Sequence, residues 1–451
     1  MVVSRVQILR VSLSVLLCLT IMVYLFIPVK GEVSLSLFYV CFSLMLLSNF
    51  IYFKAKQKQN YLDFDTLFIL VYCLVGFSTT FLYHDEDLFR AVFLGFQIPE
   101  EYVNKGNFLA LIGLQSYLVG NLVLIKDEFV STDPKVFKTT PLVIVIILLI
   151  LVFIASGGVS YYRSEYNDAV ADQEAGIAKH ILILLIAAAT ALIGTELYNK
   201  KASASYHISW LAFSALFLLA GMLLWAGNRT ATSQLILPVL GLYTLLFKNI
   251  SFKKFILFAF SGIVFMWFIQ RMRTSDQSLD LSNPIMLILD LTIPVRNTYT
   301  VFQYVDSHGF TYGESMLLGV SGVVPLMPSL VKSIFPDLQD GSAEVLTAFT
   351  FEDLNTPEEF RIGLGTTIIA DIYLSFGLLG SIFLMFGLGL YINKITQRSL
   401  SLDYYAIIML GTMLGNAIFI VRAGYVHPLR FVVLALVLAY LNRLIQSSWK
   451  R

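Results

Sequence analysis

The chain has 451 residues, 57% hydrophobic and only 14% charged, with net charge +1 and mean hydropathy +0.76. A soluble protein this long carries roughly a quarter of its residues as charges, so the composition argues against a soluble class; the near-neutral balance leaves no global basic field for nucleic acid. Cys18, Cys41 and Cys73 lie in separate apolar runs with no CxxC pair, which argues against a disulfide framework and a Cys-based zinc site.

Runs of about twenty apolar residues, long enough to cross a hydrocarbon core, recur from end to end. The first follows only Arg5 and Arg10, lacks a small-residue cleavage site and is soon followed by a second. It reads as a retained span rather than a removed signal peptide. The predicted spans are 11–28, 34–53, 66–84, 106–125, 141–157, 177–197, 208–226, 231–247, 254–270, 365–392, 403–421 and 429–446. The expected fold class is therefore all-α: a polytopic integral membrane protein of about twelve transmembrane helices, forming one transmembrane domain over 1–451. With the N-terminus inside, 18 of the 31 lysines and arginines fall on inner segments, and every inner connection carries at least two. The positive-inside rule then makes both termini cytoplasmic.

Of the 13 cations left on the outer face, 9 are arginine, against 5 of 18 inside. Positive-inside pressure does not distinguish the two residue types. Arginine's planar fork binds phosphate and carboxylate bidentately and stays charged when dehydrated, whereas lysine acts as a point charge. The bias predicts an anionic ligand at the outer membrane boundary.

Two outer connections exceed a simple turn. The third outer loop, 158–176, is rich in tyrosine and acids; the fifth, 271–363, is by far the longest polar stretch. A loop of that length is expected to carry structure and to act as a lid. Within it, Pro284–Val305 is apolar at near-helical spacing and predicts a helix in the interface plane. Pro325, Pro328 and Pro336 punctuate a second part expected to pack on the bundle mouth.

Gly227-Asn228-Arg229-Thr230 separates two spans. Either Arg229 enters a cavity beside exposed backbone N–H groups, suited to phosphate, or it snorkels to outer headgroups from a tight turn. Arg271 and Arg273 close the ninth span; at i and i+2 they point to different helix faces, so at most one enters a shared site. Arg422 and Arg430 bracket Ala423–Pro428, a depth at which unpartnered arginines are costly. His427 in that turn is either an acid/base or a hydrogen-bonded turn residue. Arg361 stands at the junction of the long loop and the tenth span. Asp371 lies seven residues past Leu364, on the order of 10 Å into a helix, and either pairs with an outer arginine or serves as a base.

Asp85-Glu86-Asp87, beside His84, has the form of a metal-binding D-x-D, although acidic tripeptides in solvated loops are frequent. Arg163 with Glu165 is ambiguous on spacing, and Lys179 beside His180 is a costly cation just inside the sixth span. There is no G-x-x-x-x-G-K-[ST], G-x-S-x-G or H-E-x-x-H. An enzyme of this composition has to receive its energy in an already activated substrate.

The chain resembles the bacterial O-antigen or oligosaccharide-repeat-unit polymerases (Wzy), including the type that builds enterobacterial common antigen. The resemblance rests on the layout of spans and on a series of short motifs. These are Gly157-Gly158…Tyr162-Arg163…Tyr166-Asn167 with Lys179 following, Ala226–Thr230, and Tyr312-Gly313…Pro325…Pro328…Phe335-Pro336. They continue in Gly363-x-Gly365-Thr366-x-x-Ile369-Ala370-Asp371-x-Tyr373-Leu374-x-Phe376-Gly377-x-x-Gly380 and Val421-Arg422-Ala423-Gly424. An R-x₁₀-G loop motif of some members is absent.

The resemblance implies a GT-C-like bundle with a large periplasmic loop and a glycosyltransferase of the inner membrane that needs no metal, nucleotide or other cofactor. Its implied partners are donor and acceptor oligosaccharides on undecaprenyl pyrophosphate, the bilayer, and chain-length regulator and flippase proteins. Arg229 and Arg422 are the expected pyrophosphate clamps, supported by Arg271 or Arg273, Arg430, Arg361 and Lys179, with Arg163 nearer the donor glycan. Asp371 is the expected base and His427 the reserve. An O-antigen ligase acting through His308, a metal-dependent polyprenyl-phosphate-sugar transferase and a lipid-linked glycan flippase are the competing readings.

Overall fold

A computed structural model describes residues 5–82, 98–123, 135–163, 176–273, 291–324, 327–336, 338, 341–353 and 363–448. Among these every regular element is helical. The helices are α1 (Arg5–Phe26), α2 (Leu35–Lys56), α3 (Phe64–Phe77), α4 (Thr79–Leu82), α5 (Val103–Asn121), α6 (Thr140–Ala155) and α7 (Gly158–Arg163). They continue with α8 (Gly176–Ala202), α9 (Trp210–Trp225), α10 (Arg229–Leu246), α11 (Phe252–Arg273), α12 (Arg296–His308), α13 (Glu314–Ser321), α14 (Met327–Ile334) and α15 (Ser342–Asp353). The last four are α16 (Ile368–Leu400), α17 (Tyr404–Asn416), α18 (Phe419–Ala423) and α19 (Leu429–Ser448).

Five of the described helices, α1, α2, α8, α16 and α19, are long and apolar enough to cross a membrane, and α3, α6 and α9 are shorter apolar helices. Helix α5 is more polar, carrying Asn104, Lys105, Asn107, Gln115 and Asn121, yet all of its nineteen residues except Val119 are buried. Neighbouring helices shield its polar groups: Gln115 donates to Ser48 Oγ at 3.0 Å, and Lys105 donates to the carbonyls of Tyr24 and Ile27, closing the C-terminus of α1. A hydropathy count reads such a helix less well than an all-apolar one.

The helices form two groups. In one, α5 is packed by α1, α2 and α16; in the other, α8 is packed by α6, α10, α17 and α19. Contact between α16 and α17 joins the groups. Gly120 on α5 and Gly389 on α16 leave no room for a Cβ against the facing backbone, so the two helices cross at close range, as small residues allow in membrane bundles.

Polar links sort the connections into two ends. At one end Asn60 bonds Thr244, Lys138 N–H donates to Gln446, and Lys56 reaches Asn121 and Asn393. At the other end Gly31 N–H donates to Glu101 O, Tyr102 bonds Asp306, and Asp371 receives the backbone of Tyr425. The cation count expects the first of these ends inside and the second outside, and the second is named the outer end on that expectation.

Three local readings change. The tenth helix starts at Ile368, because Gly363–Thr367 is non-helical and Thr367 caps Ala370 N–H at 3.2 Å. It is also broken at Gly377, whose φ of 62° and ψ of −153° lie outside the helical region. The stretch expected to lie in the interface plane instead gives α12, whose Arg296–Phe302 are buried against α5, α15 and α16. Its residues 284–290 lie outside the described residues.

Candidate functional site

The outer end is organised around the first turn of α16. Asp371 sits there, 3% exposed, at the end where the helix dipole favours a carboxylate. Its Oδ2 accepts the backbone N–H of Tyr425 at 2.7 Å. The preceding Gly424 has φ +110°, and a Cβ on it would lie 2.9 Å from the same oxygen. Only glycine lets this backbone approach the carboxylate so closely. Asp371 is thus not 10 Å deep in a helix: it holds the Arg422–Arg430 turn, with Ser342 and Glu344 of α15 beside it.

The strap leading into α16 is held from the large outer segment. Asn297 donates its side-chain amide to Gly365 O, and Thr298 and Thr367 hydroxyls meet at 2.8 Å. Gly365 faces Pro294 and the Arg422 carbonyl. Arg296, 6% exposed, belongs to the same layer. Arg296 and Asn297 were missed as site residues; the available signal was a polar pair one residue beyond Pro294, after Val295, in an otherwise apolar stretch.

The Arg422–Arg430 turn carries the predicted cations. Arg422, on the short α18, is half-buried, as are His427 and Arg430. Arg430 lies over the Phe431 ring with its guanidinium carbon 5.2 Å from the centroid, and the His427 ring stands 5.6 Å from that of Phe431. His427 Nε2 is buried and has no hydrogen-bond partner among the described residues. Burial, and then the charge of Arg430, push its pKa down to about 3, so the ring is neutral.

Helix α7, the described start of the third outer loop, lies beside this turn. Tyr162 neighbours Arg430, and Lys179, at the start of α8, lies 6.0 Å from the centroid of the Tyr161 ring. The end of α9 also packs on α7. There Asn228 caps Ala231 N–H at 2.9 Å and places Arg229, half-buried, as the first residue of α10. Gln234, five residues on, donates to Asn416 Oδ1 at 2.9 Å. Arg229 and Arg422 both lie beyond this bond, toward the same end of the bundle.

The structure therefore docks Asp371 of α16 on the turn that carries Arg422, His427 and Arg430, and places Arg229 and Lys179 at the same end. Arg163 ends α7, and Arg271 and Arg273 end α11. Arg361, the acidic run Asp85–Asp87 with His84, and Glu165 lie outside the described residues. Half-buried guanidinium groups and a neutral imidazole at one end of the bundle suit an anion whose charge grows during reaction. His308 is placed differently, stacked on Tyr304 and edge-on to Phe349.

A family model described as O-antigen polysaccharide polymerase Wzy matches residues 8–449. No curated protein and no solved structure matches the chain.

Proposed function

We propose, from the premise that this chain belongs to the O-antigen polysaccharide polymerase Wzy family, that it transfers a nascent glycan from undecaprenyl pyrophosphate to the non-reducing end of a lipid-linked repeat unit. The reaction takes place at the periplasmic face of the inner membrane. The observation that carries this reading is the Arg422–Arg430 turn, docked on Asp371 through the Tyr425 amide.

In the transfer, the bond from the donor's anomeric carbon to a pyrophosphate oxygen breaks and the pyrophosphate leaves with the electron pair. The acceptor hydroxyl oxygen forms the new glycosidic bond and gives up its proton. Arg422, Arg229 and Arg430 receive the developing pyrophosphate charge, with Lys179 and the Arg163 end of α7 toward the glycan. Arg271 or Arg273, and Arg361, are the supporting cations that the family resemblance implies. No metal is assigned a step.

Asp371 is committed to the turn, so its part is to position Arg422 rather than to take the proton. His427 is the base in this reading. Its neutral ring keeps an acceptor nitrogen free, and an anion docked on Arg430 removes the charge that helps hold its basicity down.

Arg422→Lys and Arg229→Lys test the clamp. Each should abolish long chains at normal protein level, with losses of about 10²–10³ in rate, the scale of removing one preorganised donor. Full-length glycan ladders in both variants would sink it. A deletion strain accumulating single repeat units on lipid A core fits a polymerase, and long chains left on undecaprenyl pyrophosphate would indicate a ligase.

A further inference from the structure

Between α12 and α13 the outer segment presents a tyrosine that the clamp does not use. Tyr312 is 81% exposed, and its φ of 50° lies in the left-handed region that bulky residues rarely enter. Its mount is rigid. Thr311 N–H donates to Leu374 O at 3.0 Å, and Glu314 N–H to Thr311 O at 3.0 Å. Ser315 bonds both Thr311 and Ser375, at 3.2 and 3.1 Å. Phe310 fills the break at Gly377 and meets the Tyr312 ring edge-on, with centroids 6.4 Å apart.

A strained backbone kept in place by surrounding contacts, with a large ring held out from it, points to a use for the ring. Leu374 is three residues from Asp371, about 4.5 Å along the helix axis. Tyr312 therefore stands within a few sugar units of the arginine turn. Exposed Asp306, Ser307 and His308 on the last turn of α12, and Glu314 on the first turn of α13, provide hydrogen-bonding groups close by in the chain.

We propose that Tyr312 is a stacking platform for a sugar ring of the lipid-linked glycan. The C–H face of a pyranose is apolar and flat enough to cover an aromatic ring, while its equatorial hydroxyls reach flanking carboxylates and hydroxyls. This rests on the reading of the chain as a glycan polymerase. A tyrosine serving only as a headgroup anchor is the rival, because Gly313 adjoins Phe376 on the exposed face of α16.

The test is binding, measured on the purified full chain in nanodiscs with lipid-free oligosaccharide released by mild acid from the producing cells' own polysaccharide. Tyr312→Asn removes the ring with a residue that tolerates the left-handed backbone, and Tyr312→Gly removes ring and strain together. Both should weaken binding about tenfold, the ratio expected from uncovering half of an aromatic ring, while Tyr312→Phe and Tyr312→Trp keep it. Unchanged binding in Tyr312→Asn, or no saturable binding by the wild type, overturns the platform.

Tyr312→Cys settles the rival. Labelling by a membrane-impermeant maleimide that the oligosaccharide blocks supports the platform, and failure to label in nanodiscs without glycan means the position is sunk in the bilayer and overturns it. Because no polymerisation is involved, active Arg422→Lys would refute the clamp without touching this result.

Discussion

The carboxylate of Asp371 and the backbone N–H of Tyr425, 54 residues apart, meet at 2.7 Å, and this contact joins the broken helix α16 to the turn that carries two arginines. It gives Asp371 a mechanical task, which separates two substitutions that a proton-transfer role would not. Asp371→Asn keeps an oxygen for Tyr425, and its amide nitrogen can donate to Ser342 or Glu344. Activity should stay within about threefold of wild type. Asp371→Ala leaves a buried donor unmet, costing about 1.5–3 kcal/mol, and should lose long-chain synthesis. Initial rates with purified protein decide it: Asp371→Asn as inactive as Asp371→Ala would restore Asp371 as the base.

The arginines of this turn were legible in the sequence because a cation at the end of an apolar run is conspicuous whatever the tertiary structure. The contact of Asp371 with the Tyr425 backbone was not. The depth of Asp371 was counted from Leu364, and the helix starts four residues later, at Ile368, because the strap is held by Asn297 and Thr298, which are over sixty residues away. Hydropathy also ran straight through Gly377 and through the break between Asn416 and Phe419. Apolar periodicity reports which residues avoid water, not where a helix stops being continuous. Arg296 and Asn297 were missed for the same reason: the apolar residues around them matched a lipid-facing helix, and only long-range packing makes that helix internal.

His427 gives a pH dependence of definite sign. Its ordinary pKa of 6.5 falls to about 3 in the folded chain. The unfolded chain therefore binds the extra proton first, so this stability contribution is complete above pH 6.5 and is lost as pH falls toward 3. His427→Gln removes the titration. Melting temperatures from pH 7 to pH 4 should drop less in the variant than in wild type. Parallel curves would show that the imidazole is not held neutral.

The break in α16 predicts a selective glycine. At Gly377 an added Cβ would sit 3.0 Å from the Phe310 ring, on a backbone region almost confined to glycine. Gly377→Ala should cost about 1–3 kcal/mol and reduce activity, since the half-helix carrying Asp371 is then re-aimed. Gly387, in the same helix, has open space around its Cβ position, and Gly387→Ala should be silent. Thermal unfolding and glycan ladders of the pair check this; equal effects would mean that the kink is not required.

Stability without chemistry is expected at the opposite end. There Asp65, 5% exposed, accepts from Tyr52 at 2.8 Å, Tyr117 at 2.5 Å and Asn121 at 2.8 Å, with Lys56 at 3.9 Å. Lys56 also reaches Asn393 on α16 at 3.2 Å, so the cluster ties α2, α3, α5 and α16 together. Asp65→Ala removes the counter-charge of Lys56 and the acceptor shared by Tyr52, Tyr117 and Asn121, and should cost about 3–5 kcal/mol, the scale of breaking a buried ion pair. Protein that does fold should keep a wild-type KM, because no group of the arginine turn is touched. Measuring the melting temperature and KM on the same preparation separates the effects. A raised KM at unchanged stability would place Asp65 in the substrate path and remove it from the scaffold.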